Sequence, residues 1–262
     1  MKNAIPRWLL APNPSVMTLD GTRTYIIGER EPVVIDPGPD IAAHVAAIVQ
    51  TLDGAVPSAI LLTHSHADHG GGAAALSRAT GAPVRMAPGA PAGSPAGLEI
   101  ERFLEPGELL ATDAGVLRIV PTPGHTPEHV AIHWTLDGEE RGGAVFVGDL
   151  MMGEGDTALV APPEGNLLAY LNSLTTVESL APERVYPAHG PPIDDPGEAV
   201  NRYRRHRETR IDQVRAALEE SAGPVNPGDL VRRIYGDGLD PRLRRAAAGS
   251  IQAIIHYLEG GE

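Results

Sequence analysis

The stretch Thr63-His64-Ser65-His66-Ala67-Asp68-His69-Gly70-Gly71-Gly72 places four donor side chains within six positions. Three imidazoles and a carboxylate at this spacing are metal-ligand chemistry; such nitrogen and oxygen donors suit zinc, and also manganese or iron. The preceding run, Ala59-Ile60-Leu61-Leu62, is short and wholly apolar, as in a buried strand. The following run, Ala73-Ala74-Ala75-Leu76, favours helix. The donors therefore sit in a strand-to-helix loop. His64 and His66 share one side of an extended segment, and Asp68 and His69 follow where the chain turns. That geometry suits two adjacent ions rather than one, and the three glycines let the backbone approach closely.

Three more expected strands end in a similar donor. Val116–Val120 runs into Pro121-Thr122-Pro123-Gly124-His125-Thr126-Pro127-Glu128-His129; Ala144–Val147 ends at Gly148-Asp149; Arg184–Tyr186 ends at Pro187-Ala188-His189-Gly190. Functional side chains gather on loops at one rim of a rigid scaffold, so His64, His125, Asp149 and His189 are expected to meet. His129 is read as a satisfied histidine beside the site. His44, His133, His206 and His256 stand alone on expected elements and are read as structural or exposed. Asp36, after Val33–Ile35, either shapes its turn or supports the metal site from behind.

The elements that must hold these donors are read from periodicity. Thr24–Ile27 and Val33–Ile35 are strands joined by a turn at Glu29–Pro32. Asp40 is expected to cap a helix carrying Ile41, Val45, Ile48, Val49 and Leu52. A short strand is expected near Val84–Met86, and residues 87–107 form a loop without a period. Asn166–Leu180 is a helix with Leu167, Leu168, Leu171, Leu174 and Val177 on one face; Tyr170 is expected in its core and Asn172 in solvent. From about Pro196 the composition changes. Val200, Tyr203, Ile211, Val214 and Leu218 mark a long helix with an Arg-rich outer surface. Asn226-Pro227 and Asp240-Pro241 start two more helices. The expected division is a catalytic domain over 1–195 and a helical, winged-helix-like subdomain over 196–262, with little or no β wing.

With 262 residues and 42% hydrophobic content, the chain suffices for one large core plus an appendage. It has no cysteine, which excludes thiolate ligands and disulfides. The net charge is −13, carried by the first 200 residues, and it works against long-range attraction of nucleic acid. No segment reads as a membrane span or signal peptide, so a cytoplasmic protein is expected. The partner expected is a small-molecule substrate, with RNA disfavoured by the charge, no membrane, and self-association left open.

The donor pattern His-x-His-x-Asp-His, followed by Gly-His, Gly-Asp and a final His, resembles the metallo-β-lactamase superfamily. Within it the chain is similar to the β-lactamase-like protein 2 group, through Gly21–Tyr25, Gly148-Asp149 with Gly153-Glu154-Gly155, Tyr170–Leu174, Tyr186–Pro191 and the C-terminal helices. Arg23 stands where that group usually has Asn. The resemblance implies an α/β (α+β) fold, the four-layer αββα sandwich. It also implies that His64, His66 and His125 hold one Zn2+ and Asp68, His69 and His189 a second (Mn2+ or Fe being alternatives), with Asp149 bridging and Asp68 orienting the nucleophile. A hydroxide between the ions would hydrolyse a small ester, thioester or related carbonyl compound. The alternatives are a single-stranded RNA endonuclease, because the group includes one, and a metal-containing binding or regulatory protein without turnover. Lactam cleavage is not implied, since the best-known lactam-cleaving relatives carry a cysteine at the bridging position. The oxygen-reducing di-iron relatives carry Glu where His66 stands and need a flavin domain. The glutathione-binding basic pattern of glyoxalase II is absent.

Overall fold

The computed structural model describes residues 5–91, 98, 100, 102–221, 223 and 225–260. The expected loop over 87–107 lies partly outside the described residues. Two five-stranded mixed sheets face each other. The first has the order β1(Arg7–Leu10)–β2(Arg23–Ile27)–β3(Val33–Ile35)–β4(Ala59–Leu61)–β5(Val84–Arg85), and the second β10(Arg184–Pro187)–β9(Ala144–Gly148)–β8(Val130–Thr135)–β7(Gly115–Pro121)–β6(Leu109–Thr112). Helices α1(Ala42–Leu52), α2(Ala67–Gly70) and α3(Ala73–Thr80) follow β3 and β4. Then α4(Leu167–Ser179), α5(Pro196–Glu219), α6(Pro227–Tyr235) and α7(Arg244–Leu258) follow the second sheet, a 3-10 turn Pro241–Leu243 leading into α7.

Why the central strands read as unbroken apolar runs is plain from where their side chains go. Alternate residues face opposite sides of a sheet. Tyr25, Ile27, Val33, Ile35, Ala59 and Leu61 point into the layer between the sheets, while Ile26, Val34 and Ile60 point outward against Ile48, Leu52 and Leu76 of α1 and α3. On β9, Ala144 and Phe146 face the inter-sheet layer, and Val145 and Val147 face α4 and the C-terminal helices. Three apolar layers between four structural layers make the αββα sandwich. Each fully buried Val, Leu, Ile or Phe contributes about 1.5–3 kcal/mol.

Topology then fixes the functional rim. β7 and β9 both run antiparallel to β8, and β10 runs parallel to β9, so β7, β9 and β10 end at the same edge. The first sheet is stitched to that edge by backbone bonds: Arg23 N–H donates to Ala188 O (2.7 Å), and Val130 N–H to Thr63 O (2.9 Å).

Several expectations need correction. Asp40 does not cap α1; Ile41 is the N-cap residue and makes no side-chain capping bond. Leu168 is 41% exposed rather than part of the apolar face of α4. β5 stops at Arg85. The strands β1 and β6 were not expected; their half-exposed edges, with alternating burial, carry too weak a pattern. Arg207 is 2% exposed, so the long helix does not keep all its arginines outside. Asn166, Asp195 and Asn226 do accept backbone N–H bonds at the starts of α4, α5 and α6. Among the described residues after Pro196 there is no strand, and α5 and α7 share one apolar cluster with α4 and β9. Among the described residues no helix is long and apolar enough to cross a membrane.

Candidate metal centre

The loops after β4, β7, β9 and β10 bring all seven expected side chains together. The ligand atoms of His64, His66, His125 and Asp149 lie within 4.8 Å of one another, and so do those of Asp68, His69 and His189. Asp149 faces both groups. Its Oδ1 is 3.2 Å from the Nε2 atoms of His69 and His189, and its Oδ2 is 3.4 Å from His125 Nε2. The chain reaches this position through Gly148, whose φ is +48° and where an added Cβ would stand 2.6 Å from Thr63 Oγ1 and 2.8 Å from His129 Nε2. Only glycine fits there.

Each histidine is held by one nitrogen and turns the other inward, the arrangement that fixes tautomer and ring orientation in metal sites. His69 Nδ1–H donates to Asp36 Oδ2 (2.9 Å), His125 Nδ1–H to Leu159 O (2.7 Å), and His189 Nδ1–H to Gly21 O (3.1 Å). His64 Nδ1 meets Thr63 Oγ1 (3.1 Å), whose hydroxyl donates to Asp36 Oδ2 (2.7 Å). His66 does the reverse: its Nε2 meets Glu164 Oε2 (3.1 Å), and its Nδ1 lies 3.0 Å from His125 Nε2.

The inward atoms test whether a metal fits. His64 Nε2, His69 Nε2, His189 Nε2 and Asp149 Oδ1 are buried and lack a hydrogen-bond partner, although oxygens and nitrogens stand 3.2–3.4 Å apart. Buried polar atoms are rarely left this way. Without a cation only protons on His69 and His189 could link these atoms to the carboxylates, and His64 Nε2 would stay alone; a shared cation would satisfy them all, and a set of imidazole and carboxylate donors without sulfur suits divalent ions.

Charge divides the cluster. Burial holds His64 well below the usual histidine range, with the neighbouring His69 and His125 adding to the effect, and burial lowers His125 as well. Burial also opposes a charge on His69 and His189, but there the carboxylates win. Asp149, Asp68 and Asp36 raise His69 well above its ordinary value, and Asp149 raises His189 to about 9. Burial would raise Asp68 too, yet His69 and His189 bring it down to about 2. Access is one-sided. The side chains of His69 and His189 are 0% and 1% exposed, whereas Asp68 is 32% and Asp149 19% exposed. A cleft of about 160 Å3 opens over them, walled by Met17, Met152, Ala158 and Leu159.

Asp36 takes the supporting role rather than that of a turn-former alone. Its carboxylate accepts from Thr63 N–H, Thr63 Oγ1 and His69 Nδ1. Its φ of +48° is a conformation that Asp and Asn tolerate. Asp36→Asn should therefore keep the turn but weaken the binding of a divalent metal ion by about 10–100-fold, as read by competition with a chromophoric chelator; affinity equal to the parent's would contradict this role. His129 accepts from Asp149 N–H through Nε2 (3.2 Å) and meets Thr122 Oγ1 through Nδ1 (2.9 Å), so it sets the backbone of Asp149. The lone histidines are not part of the cluster: His44 meets Thr24 Oγ1, His133 meets Gly142 O and His256 meets Gln252. Arg23 is paired with Asp20. Tyr170 is buried, with its hydroxyl donating to Leu150 O.

Sequence reading missed Thr63, Glu128, Glu164 and Arg207. The buried Glu128 accepts from Ser65 N–H (3.0 Å) and fixes the loop between His64 and His66. Arg207 donates to Ala158 O, next to the carbonyl that holds His125, and its guanidinium lies 4.9 Å from the centroid of the Tyr170 ring. A signal for Arg207 existed, since it falls four residues after Tyr203 and four before Ile211, on the buried face.

Comparison with known proteins agrees with this geometry. The model of the metallo-beta-lactamase superfamily matches residues 17–189. A beta-lactamase-like protein 2 homolog of Caenorhabditis elegans is 30% identical, over 98% of this chain and 85% of its own. An atrochrysone carboxyl ACP thioesterase of Cryptosporiopsis sp. is 31% identical, over 91% of this chain and 74% of its own. The crystal structure of a beta-lactamase domain protein from Burkholderia ambifaria superposes with a TM-score of 0.81 at 24% identity, over 97% of this chain and 86% of that one, a likeness of fold. The two facing sheets, the donors gathered at their common rim and the match over most of the chain lead to one conclusion: this chain belongs to the metallo-beta-lactamase superfamily, as a hydrolase.

Proposed function

We propose that the chain is a dinuclear metal-dependent thioester hydrolase. The observation that carries the reading is the pair of adjoining donor groups, both facing Asp149, with unpartnered inward atoms. In this reading His64, His66 and His125 hold one ion, Asp68, His69 and His189 hold the other, and Asp149 lies between them. Zinc is the metal proposed, because it accepts nitrogen and oxygen donors in low coordination number; manganese and iron are chemically compatible. When bound, such ions supply a hydroxide at neutral pH and stabilise negative charge on the acyl oxygen.

The chain's own groups do the rest. Asp68 is ionised, partly exposed to the cleft and able only to accept hydrogen bonds. It therefore orients the attacking water as the catalytic carboxylate. Asp36, Thr63, Leu159 O and Gly21 O keep the imidazoles from rotating. The leaving group of a thioester is a good one, so no dedicated acid is needed near the sulfur.

The thioester is favoured over RNA by the net charge of −13 and by the thioesterase among the relatives. The test is thiol release from acyl-N-acetylcysteamine, before chelation, after it, and after zinc is returned. Metal-dependent release is expected. Metal-dependent cutting of unstructured RNA without thiol release would move the assignment to the nuclease alternative.

A further expected result concerns protons. In the metal-free protein His69 and His189 carry protons at neutral pH, because the carboxylates raise both. Their Nδ1 atoms already donate to Asp36 and Gly21, so the proton a metal must displace is on Nε2. A raised value means the proton competes until the pH climbs past it. Zinc affinity should therefore increase as pH rises toward the value of about 9 for His189, and zinc binding at pH 7 should release protons. Calorimetry in buffers of different ionisation enthalpy measures this; no proton release would contradict it.

A further inference from the structure

A second cavity, of about 340 Å3, lies between the 151–165 loop and the C-terminal helices. Met17, Met152, Ala158 and Leu159 line both it and the cleft over the donor atoms. Its far wall is Tyr235, Leu239, Leu243 and Ala246, from α6, the 3-10 turn, α7 and the connection between them. A cavity that adjoins the cleft over the donor atoms across four shared side chains, and is walled beyond them by apolar ones, is a place for an apolar part of the substrate.

The polar groups around it are already engaged or balanced. The Arg210 guanidinium lies 4.3 Å from the centroid of the Tyr235 ring and donates to Gln213 Oε1 (2.8 Å) and His206 Nε2 (3.4 Å). Glu154 and Asp156, on the opposite side, are exposed acids. Two carboxylates against one guanidinium give no net attraction for a phosphate, so the cavity does not fit a nucleotide. The methionines at its mouth are unbranched and polarisable, suited to contact with a flexible chain.

We propose that this cavity receives the acyl chain of the thioester, an unbranched apolar chain of medium length, and that the C-terminal helices are the element selecting it. The inference rests on the thioester-hydrolase reading. At about 30 Å3 for a water-sized group, the volume takes on the order of ten methylene-sized groups. Two larger cavities are the competing locations: one of about 650 Å3 between the start of α4 and the end of α7, which contains Leu168 and Glu164, and one of about 560 Å3 lined by Ala161, Pro162, Arg242 and Arg245, which shares Leu159 and Ala246 with the proposed pocket.

The test uses the zinc-loaded full chain and compares kcat/KM for decanoyl- and acetyl-N-acetylcysteamine. The parent should prefer the decanoyl compound. Ala246→Trp, which narrows this cavity and the one of about 560 Å3, should lower the decanoyl-to-acetyl ratio by roughly tenfold or more, and Leu243→Phe, which narrows this cavity and not the other, should move it in the same direction. Leu168→Trp and Arg242→Trp, one in each competing cavity, should leave the ratio as it was. A parent without chain-length preference, an unmoved ratio in Leu243→Phe, or a shift in Leu168→Trp or Arg242→Trp instead overturns the proposal. Calorimetry with decanoate separates the two readings. Decanoate binding to the parent and not to Ala246→Trp, with no thioester of either length hydrolysed, would sink the thioester reading and keep the pocket. Acetyl thioester turnover with decanoate bound no better than acetate would do the opposite.

Discussion

Asp149→Asn is expected to lower thioester turnover by about three orders of magnitude or more, the rate equivalent of the several kcal/mol that metal ions contribute. The substitution keeps the shape of the side chain, so β9 and the Gly148 turn should remain intact. What it removes is the charge that faces both donor groups. Asp149 Oδ1 lies 3.2 Å from His69 and His189, and Oδ2 lies 3.4 Å from His125. An amide nitrogen in place of either oxygen would present hydrogens to imidazole nitrogens meant for a cation. Bound zinc should therefore fall together with rate, while thermal unfolding stays cooperative. Initial rates and metal content measured on the same samples check this. A variant that retains two ions and a rate within tenfold of the parent would show that Asp149 is not the link between the two groups.

Gly124→Ala is expected to lose both stability and activity without touching a donor. Gly124 has φ +134°, and an added Cβ would stand 2.4 Å from the backbone N and Cα of Tyr170. Those are atoms of α4, not the end of a flexible side chain, so rotation cannot relieve the overlap. Moreover, the same turn is tied to the helix start, because Asn166 N–H donates to Gly124 O (2.9 Å) and Ser173 Oγ–H to Pro123 O (2.7 Å). Overlap and backbone strain together should cost about 3 kcal/mol or more, a fall of about 6–12 °C in Tm. Because His125 is the next residue, the surviving folded protein should also bind zinc less tightly. Calorimetric unfolding with and without zinc separates the two losses; a Tm within 2 °C of the parent would contradict the packing argument.

How much of this was legible in the sequence differs by residue. The meeting of His64, His125, Asp149 and His189 could be read because each closely follows a run whose apolar character announces a strand, and strand ends collect at a rim; His66, Asp68 and His69 followed from their spacing after His64 and from the family resemblance. The groups that hold the donors could not, beyond Asp36 as one of two open readings, and its partner was not legible. Asp36 reaches His69 across 33 positions and Glu164 reaches His66 across 98, and no local pattern encodes such pairings. The same holds for Gly21 O behind His189, a backbone atom that leaves no mark on residue type. β1 and β6 escaped because an edge strand is half-exposed and needs few apolar residues. Asp40 misled because a polar residue near a helix start is only permission to cap; here the chain enters α1 through Ile41. Leu168 misled because helical spacing marks a face without saying how wide the covered stripe is. The helical character of the C-terminal segment was legible from its capping prolines and apolar spacing. That its helices wall a cavity adjoining the metal centre was not, since that depends on how α6 and α7 pack against the 151–165 loop.

The most direct measurement is a zinc titration of metal-free protein, with bound metal and thiol release followed in the same samples. The proposed dinuclear hydrolase predicts no turnover without metal, saturation at two ions per chain, and a rate that reaches its maximum only as the second ion binds. Undiminished turnover by the metal-free protein, or full activity with a single ion and no second site, would contradict it.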